Sequence, residues 1–386
     1  MTGALAGVKV LDFSSLLPGP MATLLLAEAG AEVVKVERPG HGDEMRSYEP
    51  KWGDDSINFA LLNRGKKSLA LDLKDPRERD RLTPLLREAD VLVEQFRPGV
   101  MERLGLGYAA VSEIKPDIVY CAITGYGQDG PKREVAGHDL NYVGDAGLLA
   151  LSMGEPSRPV VPPALIADIA GGAYPAVLNI LLALRRRDAT GEGAYLDVSM
   201  ADNLFPFMYW SMGNGLAAGA WPRNGAELVT GGSPRYQLYP TRDGQVMAAA
   251  PLEDKFWRAF ADMLGLEDEF RDDARDPEAT RERVARIVAS RPADYWRPRL
   301  EQADCCASLV QTIEAALRDD HFRQRGVFAA RSRNSAGQTL SALPVPVDPA
   351  FRADPEQIKA APALGEDNPA LLEQAAGGEP GEEPLG

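Results

Sequence analysis

From Val8 to Val36 the chain runs through VKVLDF, a turn containing Leu17-Pro18-Gly19-Pro20, the apolar stretch MATLLLAEAG and then AEVVKV. A short apolar run suits a buried strand, and a proline-bearing turn suits the first turn of a helix, where a missing N–H costs nothing. Gly30 is placed to stop that helix. The spacing predicts a strand, a helix and a second strand over residues 8–37, and a unit of this kind sets its two strands parallel. A second αβ unit follows at Asp75–Phe96, a charged amphipathic helix and then the strand ADVLVEQF. DIVYCAI (Asp117–Ile123) gives a third strand. Strands alternating with helices imply an α/β fold with a mostly parallel, doubly wound sheet. At 386 residues the chain exceeds one ordinary core, so two domains are expected.

A Rossmann-like sheet raises the question of a nicotinamide dinucleotide. The first βα turn, SSLLPGP, lacks GxGxxG and has prolines where that fingerprint needs glycines; Walker-type loops are also absent. Further on, Asp168–Arg187 reads as a long helix interrupted at Pro175, Ala189–Gly193 as a turn and AYLDVSM as a strand. Residues 202–219 read as an apolar, aromatic helix. RYQLYPT and QVMAAA around Arg242-Asp243-Gly244 predict a hairpin, with helices at 254–264, 276–290 and 293–303.

A formal charge of −15 excludes wrapping nucleic acid, which needs a broad cationic face, but a few placed Arg and Lys suffice for a phosphorylated small ligand. Three cysteines and three scattered histidines give neither a disulfide framework nor metal-ligand spacing, so no metal is expected. The longest apolar run, around Ala176–Leu184, ends at Arg185-Arg186-Arg187, short of a bilayer's thickness. No signal-type segment opens the chain and no retention signal ends it. A cytoplasmic protein without membrane or nucleic-acid partners is the expectation.

Three places have side chains suited to chemistry. Gly125–Pro131 (GYGQDGP) directly follows a strand, where open α/β sheets gather ligands, or is a flexible connection. His138, in AGHDLNY, is a histidine, the residue type suited to acid–base work, or bonds at a helix start. Asp168 ends an apolar run and precedes Ile-Ala-Gly-Gly. It is either an N-cap or a buried acid/base, and the glycines admit close approach of a backbone or ligand.

LLPGP, VERPG at 36–40, SLALDLK at 68–74, FRPGVMERLGLG at 96–107, GYGQDGP, AGHDLNY, ATGEGAYLDVSM and PALGEDN occur in that order. In this combination the chain resembles the family III CoA-transferase superfamily, and within it the α-methylacyl-CoA racemase branch. The resemblance implies an interlocked homodimer acting on an acyl-CoA thioester, with no cofactor beyond the substrate's coenzyme A. It implies a large Rossmann-like domain over 1–200 completed by 306–376, a linker helix at 201–224 and a small α+β domain at 225–305. The Gly/Glu/Pro-rich tail at 377–386 is expected to be disordered.

The resemblance also assigns roles. His138 and Asp168 would be the two proton carriers, on opposite faces of a planar enolate. Glu253, reaching in from the partner subunit, would poise His138, although a surface carboxylate at a helix start is an equally ordinary reading. Amides at the Asp168–Gly172 helix start are candidate donors to the enolate oxygen. Coenzyme A would be held by Arg38, by Leu71, Asp72, Leu73 and Lys74, by Gln95, Phe96 and Arg97, by Arg103, and by Gly137, Asp139, Leu140, Asn141 and Tyr142. Without the resemblance Arg38 and Arg103 read as surface charge. FMYWSM at 207–212 could line an acyl surface or fill a core. The competing activity is CoA transfer to a free carboxylate, with Asp168 as nucleophile. The absence of the glycine-run loop of formyl-CoA-type transferases and the presence of His138 weigh against it. A non-catalytic acyl-CoA binder would lack use for His138, Asp168 and Glu253 together.

Overall fold

The structure, a computed structural model, describes residues 3–353 and 357–376; the tail expected to be disordered lies outside the described residues. The chain divides into two compact units. One comprises the described residues of Met1–Asp145, Ala164–Leu204 and Asp320–Gly386, the other Ala146–Pro163 and Phe205–Asp319. These bounds differ from the expected ones for two local reasons. Residues 146–163 join the second unit because Met153 N–H donates to Asn224 Oδ1 at 2.8 Å and Gly225 N–H to the Leu151 carbonyl at 2.9 Å. The return to the first unit begins at 320, not 306, because Ala307–Leu309 is a strand of the small sheet.

The first unit is built on six parallel strands: β1 (Lys9–Asp12), β2 (Glu32–Glu37), β3 (Lys67–Ala70), β4 (Val91–Glu94), β5 (Val119–Thr124) and β6 (Ala194–Ser199), in the order β6-β5-β4-β1-β2-β3. The order reverses between β1 and β4, which opens a crevice at their carboxyl ends. All six residues of β5 are buried, as a strand covered on both faces requires. One face carries α2 (Thr83–Glu88) and α3 (Tyr108–Ile114), whose Leu86 and Val111 pack with Leu11, Val34, Leu92 and Tyr120. The single helix expected after Asp75 is instead two, Pro76–Asp80 and α2. Pro84 cannot continue the hydrogen-bond ladder and restarts it.

The other face carries α1 (Pro18–Glu28), with its prolines in the first turn and Gly30 beyond its end at φ 102°. All of α1 is buried. The remaining first-unit helices used below are α4 (Asp139–Asp145) and α5 (Tyr174–Thr190), the latter also on the α1 face. Pro175 does not interrupt α5 but opens it. A π-helix, Ala167–Ala173, precedes α5 without a break. Together they form a stretch of 24 residues long and apolar enough, by length and composition alone, to cross a bilayer. The shorter run read from sequence missed this. Here Ala176, Ile180, Ala183 and Leu184 are buried within the unit.

The motif PALGEDN closes the exposed edge of the sheet. Asp367 Oδ2 accepts from Ser68 N–H at 2.8 Å, while Asn368 accepts from Ala70 N–H and donates to its carbonyl at 2.8 and 3.0 Å. Covering an edge strand in this way removes a template for pairing with other chains.

The second unit has an antiparallel sheet of β7 (Gln237–Pro240), β8 (Val246–Ala249) and β9 (Ala307–Leu309). The β7–β8 hairpin turns at Gly244, where φ is 80°. Its helices include α6 (Tyr209–Ala218), α7 (Asp254–Leu264), α8 (Pro277–Ala289) and α9 (Ala293–Gln302). Tyr239, Met247, Trp257, Phe260, Val288 and Trp296 form its core. The helix expected over 202–219 is two pieces, a 3-10 helix at Asp202–Met208 containing Pro206, then α6.

Candidate active site

At the carboxyl end of β1 lies a buried ionic cluster. Asp12, the last residue of β1, is fully buried and accepts from Lys66 Nζ at 3.1 Å, Thr23 Oγ1 at 2.6 Å and Ser14 N–H at 2.9 Å. Burial alone would raise its carboxyl; the Lys66 and Lys35 ammonium groups outweigh that and hold it well below the usual range. Burial draws Lys66 down to about 8, against the pull of Asp12. Lys35 pairs with Asp43 at 3.0 Å, and Asp43 accepts from Leu16 N–H at 3.1 Å. Leu16 has φ 61°, a left-handed conformation that costs an L-residue about 1–2 kcal/mol. The Asp43 bond helps hold the SSLLPGP turn in that form.

The residues expected to hold coenzyme A lie mainly on loops at the carboxyl ends of the strands. Arg38 follows β2, Leu71–Lys74 follow β3, Gln95–Arg97 follow β4, and Gly137–Tyr142 lie on the segment after β5. Arg38, Asp72, Lys74, Arg97 and Arg103 are exposed. Others have work within the fold. Leu71 is in the core, and Leu73 and Phe96 pack against it. Gln95 Oε1 accepts from Gly19 N–H at 2.9 Å and so fixes the start of α1. Asp72 N–H donates to Glu78 at 2.6 Å and its Oδ1 accepts from Lys74 N–H at 3.0 Å, which turns the chain out of β3.

The AGHDLNY segment is held from within. Asn141 Oδ1 accepts from His138 N–H at 3.0 Å, and the Tyr142 hydroxyl donates to the Gly137 carbonyl at 2.5 Å. A Cβ on Gly125 or Gly137 would lie 2.4 or 2.7 Å from the Tyr142 ring, so these glycines make room for it. Burial, and then the Asp168 charge, push the Tyr142 phenol up to about 12, with Arg97 opposing; it stays a donor at neutral pH. His138 itself is exposed, as is Leu140.

Asp168 stands in the first turn of the π-helix, half-buried, and does not act as the expected N-cap: that position is Ile166, which makes no side-chain bond. Its own N–H donates to Asp139 Oδ1 at 3.0 Å. Burial first, and Asp139 second, push its carboxyl up to about 6, with His138 opposing. The three groups His138, Asp139 and Asp168 therefore share one neighbourhood. Two of the amides expected to serve an enolate oxygen are already engaged, that of Asp168 by Asp139 and that of Ile169 by the Leu165 carbonyl at 3.1 Å. The glycines after Asp168 admit a backbone. A Cβ on Gly171 would lie 2.4 Å from the Met200 carbonyl, and one on Gly172 would lie 3.2 Å from Pro18. Asn203 Nδ2 donates to the Gly171 carbonyl at 2.8 Å.

Glu253 belongs to the second unit, exposed at the N-cap of α7 and without a capping bond. It is not among the side chains that the first unit brings together. Sequence reasoning missed the Asp12–Lys66 cluster and the link from Asp139 to Asp168. It also missed Glu94, buried at the end of β4, where burial pushes the carboxyl up to about 8.

A parallel α/β unit with a carboxylate of raised pKa beside a histidine, both near the carboxyl ends of its strands, defines a site for acid–base or acyl chemistry on a small ligand. Residues 5–368 match CoA-transferase family III, and the chain belongs to that family. It is 34% identical to human α-methylacyl-CoA racemase over 96% of this chain and 93% of that one. It is 30% identical to an Acetobacter aceti acetyl-CoA:oxalate CoA-transferase over 97% and 96% of the two chains. Human succinyl-CoA:glutarate CoA-transferase is 37% identical over 65% of this chain and 57% of its own. A CaiB/BaiF family protein from Brucella suis has the same fold, with a TM-score of 0.80 at 27% identity over 97% of this chain and 100% of that one.

Proposed function

We propose that the protein is a racemase that inverts the α-carbon of 2-methylacyl-CoA thioesters. The observation that carries this reading is the pairing of two proton carriers, His138 and Asp168, around Asp139, with the Asp168 carboxyl pushed up to about 6. A proton alpha to a thioester is weakly acidic, and a carboxylate of raised pKa is a stronger base than an ordinary one. One base takes the α-proton, and the C–H electron pair moves into the enolate with its charge on the thioester oxygen. The other base returns a proton to the opposite face. Each base contributes about 10²–10⁴-fold. No metal or redox group has a part in these steps. Arg38, Lys74, Arg97 and Arg103 bind the substrate's phosphates, and Glu253 is supplied by a second copy of the chain in a homodimer.

The relatives that transfer CoA support a second reading, in which the Asp168 carboxylate attacks the thioester carbonyl and expels the CoA thiolate, leaving a mixed anhydride. The thiolate then attacks the aspartyl carbonyl, which releases the donor's carboxylate and leaves an aspartyl-CoA thioester. The two readings part in one experiment. A single enantiomer of 2-methylacyl-CoA in D₂O, with no acceptor acid, should gain deuterium at the α-carbon and yield its mirror image. Failure to exchange without an acceptor, together with a hydroxylamine-trapped adduct on Asp168 when an acceptor is present, would establish the transferase.

A further inference from the structure

We infer that Asp139 is a positioning residue, tying the start of the π-helix to the His138 loop and presenting a second carboxylate to Asp168. The inference rests on the reading of Asp168 as the reacting carboxylate, and its test is separable from that reading.

Asp139 directly follows His138 and opens α4, yet its side chain is not spent on the amides of its own helix. It is 6% exposed, and its Oδ1 accepts from Asp168 N–H, 29 residues away, at 3.0 Å. His138 is fixed on its other side by Asn141, which accepts from the His138 amide. The place of one proposed base relative to the other is thus set through Asp139, covalently on one side and by a hydrogen bond on the other.

Hydrogen bonding alone does not account for an aspartate. Asn or Ser would cap the Asp168 amide about as well, and without burying a charge beside another carboxyl. What the charge adds is repulsion: after burial, Asp139 is the largest cause of the raised Asp168 pKa. Asp139 thereby makes Asp168 a stronger base while holding it in place.

The test uses the full-length protein with ¹³C-labelled aspartate carboxyls, the Asp168 signal being identified by its loss in Asp168→Asn. In Asp139→Asn, which keeps an acceptor and loses the charge, the Asp168 midpoint should fall from about 6. It should stay above the ordinary aspartate value, because burial, the larger cause, remains. Asp139→Ser, a neutral cap of another shape, should move it the same way. The acid limb of α-proton exchange should follow the midpoint downward. Well above that limb Asp139→Asn should lose less of the exchange rate than Asp139→Ala. Asp139→Ala, which loses the tie as well, should fall by about 10²-fold, the cost of misplacing a reacting group by an ångström. An unmoved midpoint in both neutral variants, or equal exchange losses in the Asn and Ala variants, overturns the inference. If the wild-type protein shows no exchange but the midpoint shifts as stated, the action of Asp139 on the Asp168 carboxyl stands and the racemase reading fails.

Discussion

Glu94 ends β4 with its side chain buried, its Oε2 accepting from Phe96 N–H at 2.7 Å. Among the described residues no cation pairs with it, and burial, then Glu102 and Asp197, push its carboxyl up from 4.5 to about 8. The folded state therefore holds a proton that the unfolded chain releases near its ordinary pKa. Stability from the neutral form is complete below pH 4.5 and is lost as pH rises through about 8. Glu94→Gln keeps an acceptor for Phe96 and cannot ionise. It should gain about 1–3 kcal/mol over the wild type at pH 9 and little at pH 5, read from urea unfolding at both values. An equal difference at the two pH values would mean that Glu94 ionises without cost. Residues of this kind were illegible in the sequence because a buried strand-end Glu looks like any loop-edge charge. His138 and Asp168 were legible because each stands beside a turn signal and an apolar run. Their connection through Asp139 was not, since a hydrogen bond across 29 residues leaves no periodicity.

At the scale of elements, the strands and α1 were readable because short apolar runs bounded by Pro and Gly have few other uses. The π-helix was not, because a wider helical turn has the same composition as an α-turn. What places it is close packing. Gly171 lies so near the Met200 carbonyl, just past β6, that a methyl group would stand 2.4 Å from that oxygen. Gly171→Ala must therefore push the Asp168 segment away from the sheet. Overpacking of this kind costs about 1–3 kcal/mol, and a displaced Asp168 should lower exchange activity at temperatures where the variant remains folded. Gly213→Ala is the control: it also lies in a helix, and nothing stands within 4 Å of its added Cβ. It should leave activity near wild type and hold or raise stability, because alanine is the better helix former. Similar losses in the two variants would show that the Met200 contact is not the cause.

At the scale of the molecule, both units carry large apolar side chains on their surfaces. In the first, Leu178 and Leu182 of α5 are each 59% exposed, and an apolar cavity of about 640 Å³ lies beside Leu25, Tyr174, Leu178 and Leu181. In the second, Tyr209 and Leu216 of α6 are 69% and 73% exposed and Trp221 is 65% exposed. The aromatic run of α6 is legible in the sequence as too apolar for a wetted surface, but nothing there foretells the outer face of α5. Patches of this extent on a chain of net charge −15 favour a covered apolar surface over a solvated one. The proposed occupant is a second copy, and homodimer interfaces of the obligate kind bury about 2,000–5,000 Å². Sedimentation should then give twice the mass of one chain down to nanomolar concentration. Because an interlocked pair separates only by unfolding, the urea midpoint should rise with protein concentration, as it does when association and folding are one equilibrium. Leu216→Lys with Leu182→Lys should lower that midpoint, or yield unfolded chain, without producing a folded monomer. A stable folded monomer, in either the wild type or the double variant, would rule out an obligate pair and leave Glu253 no route to a partner's His138.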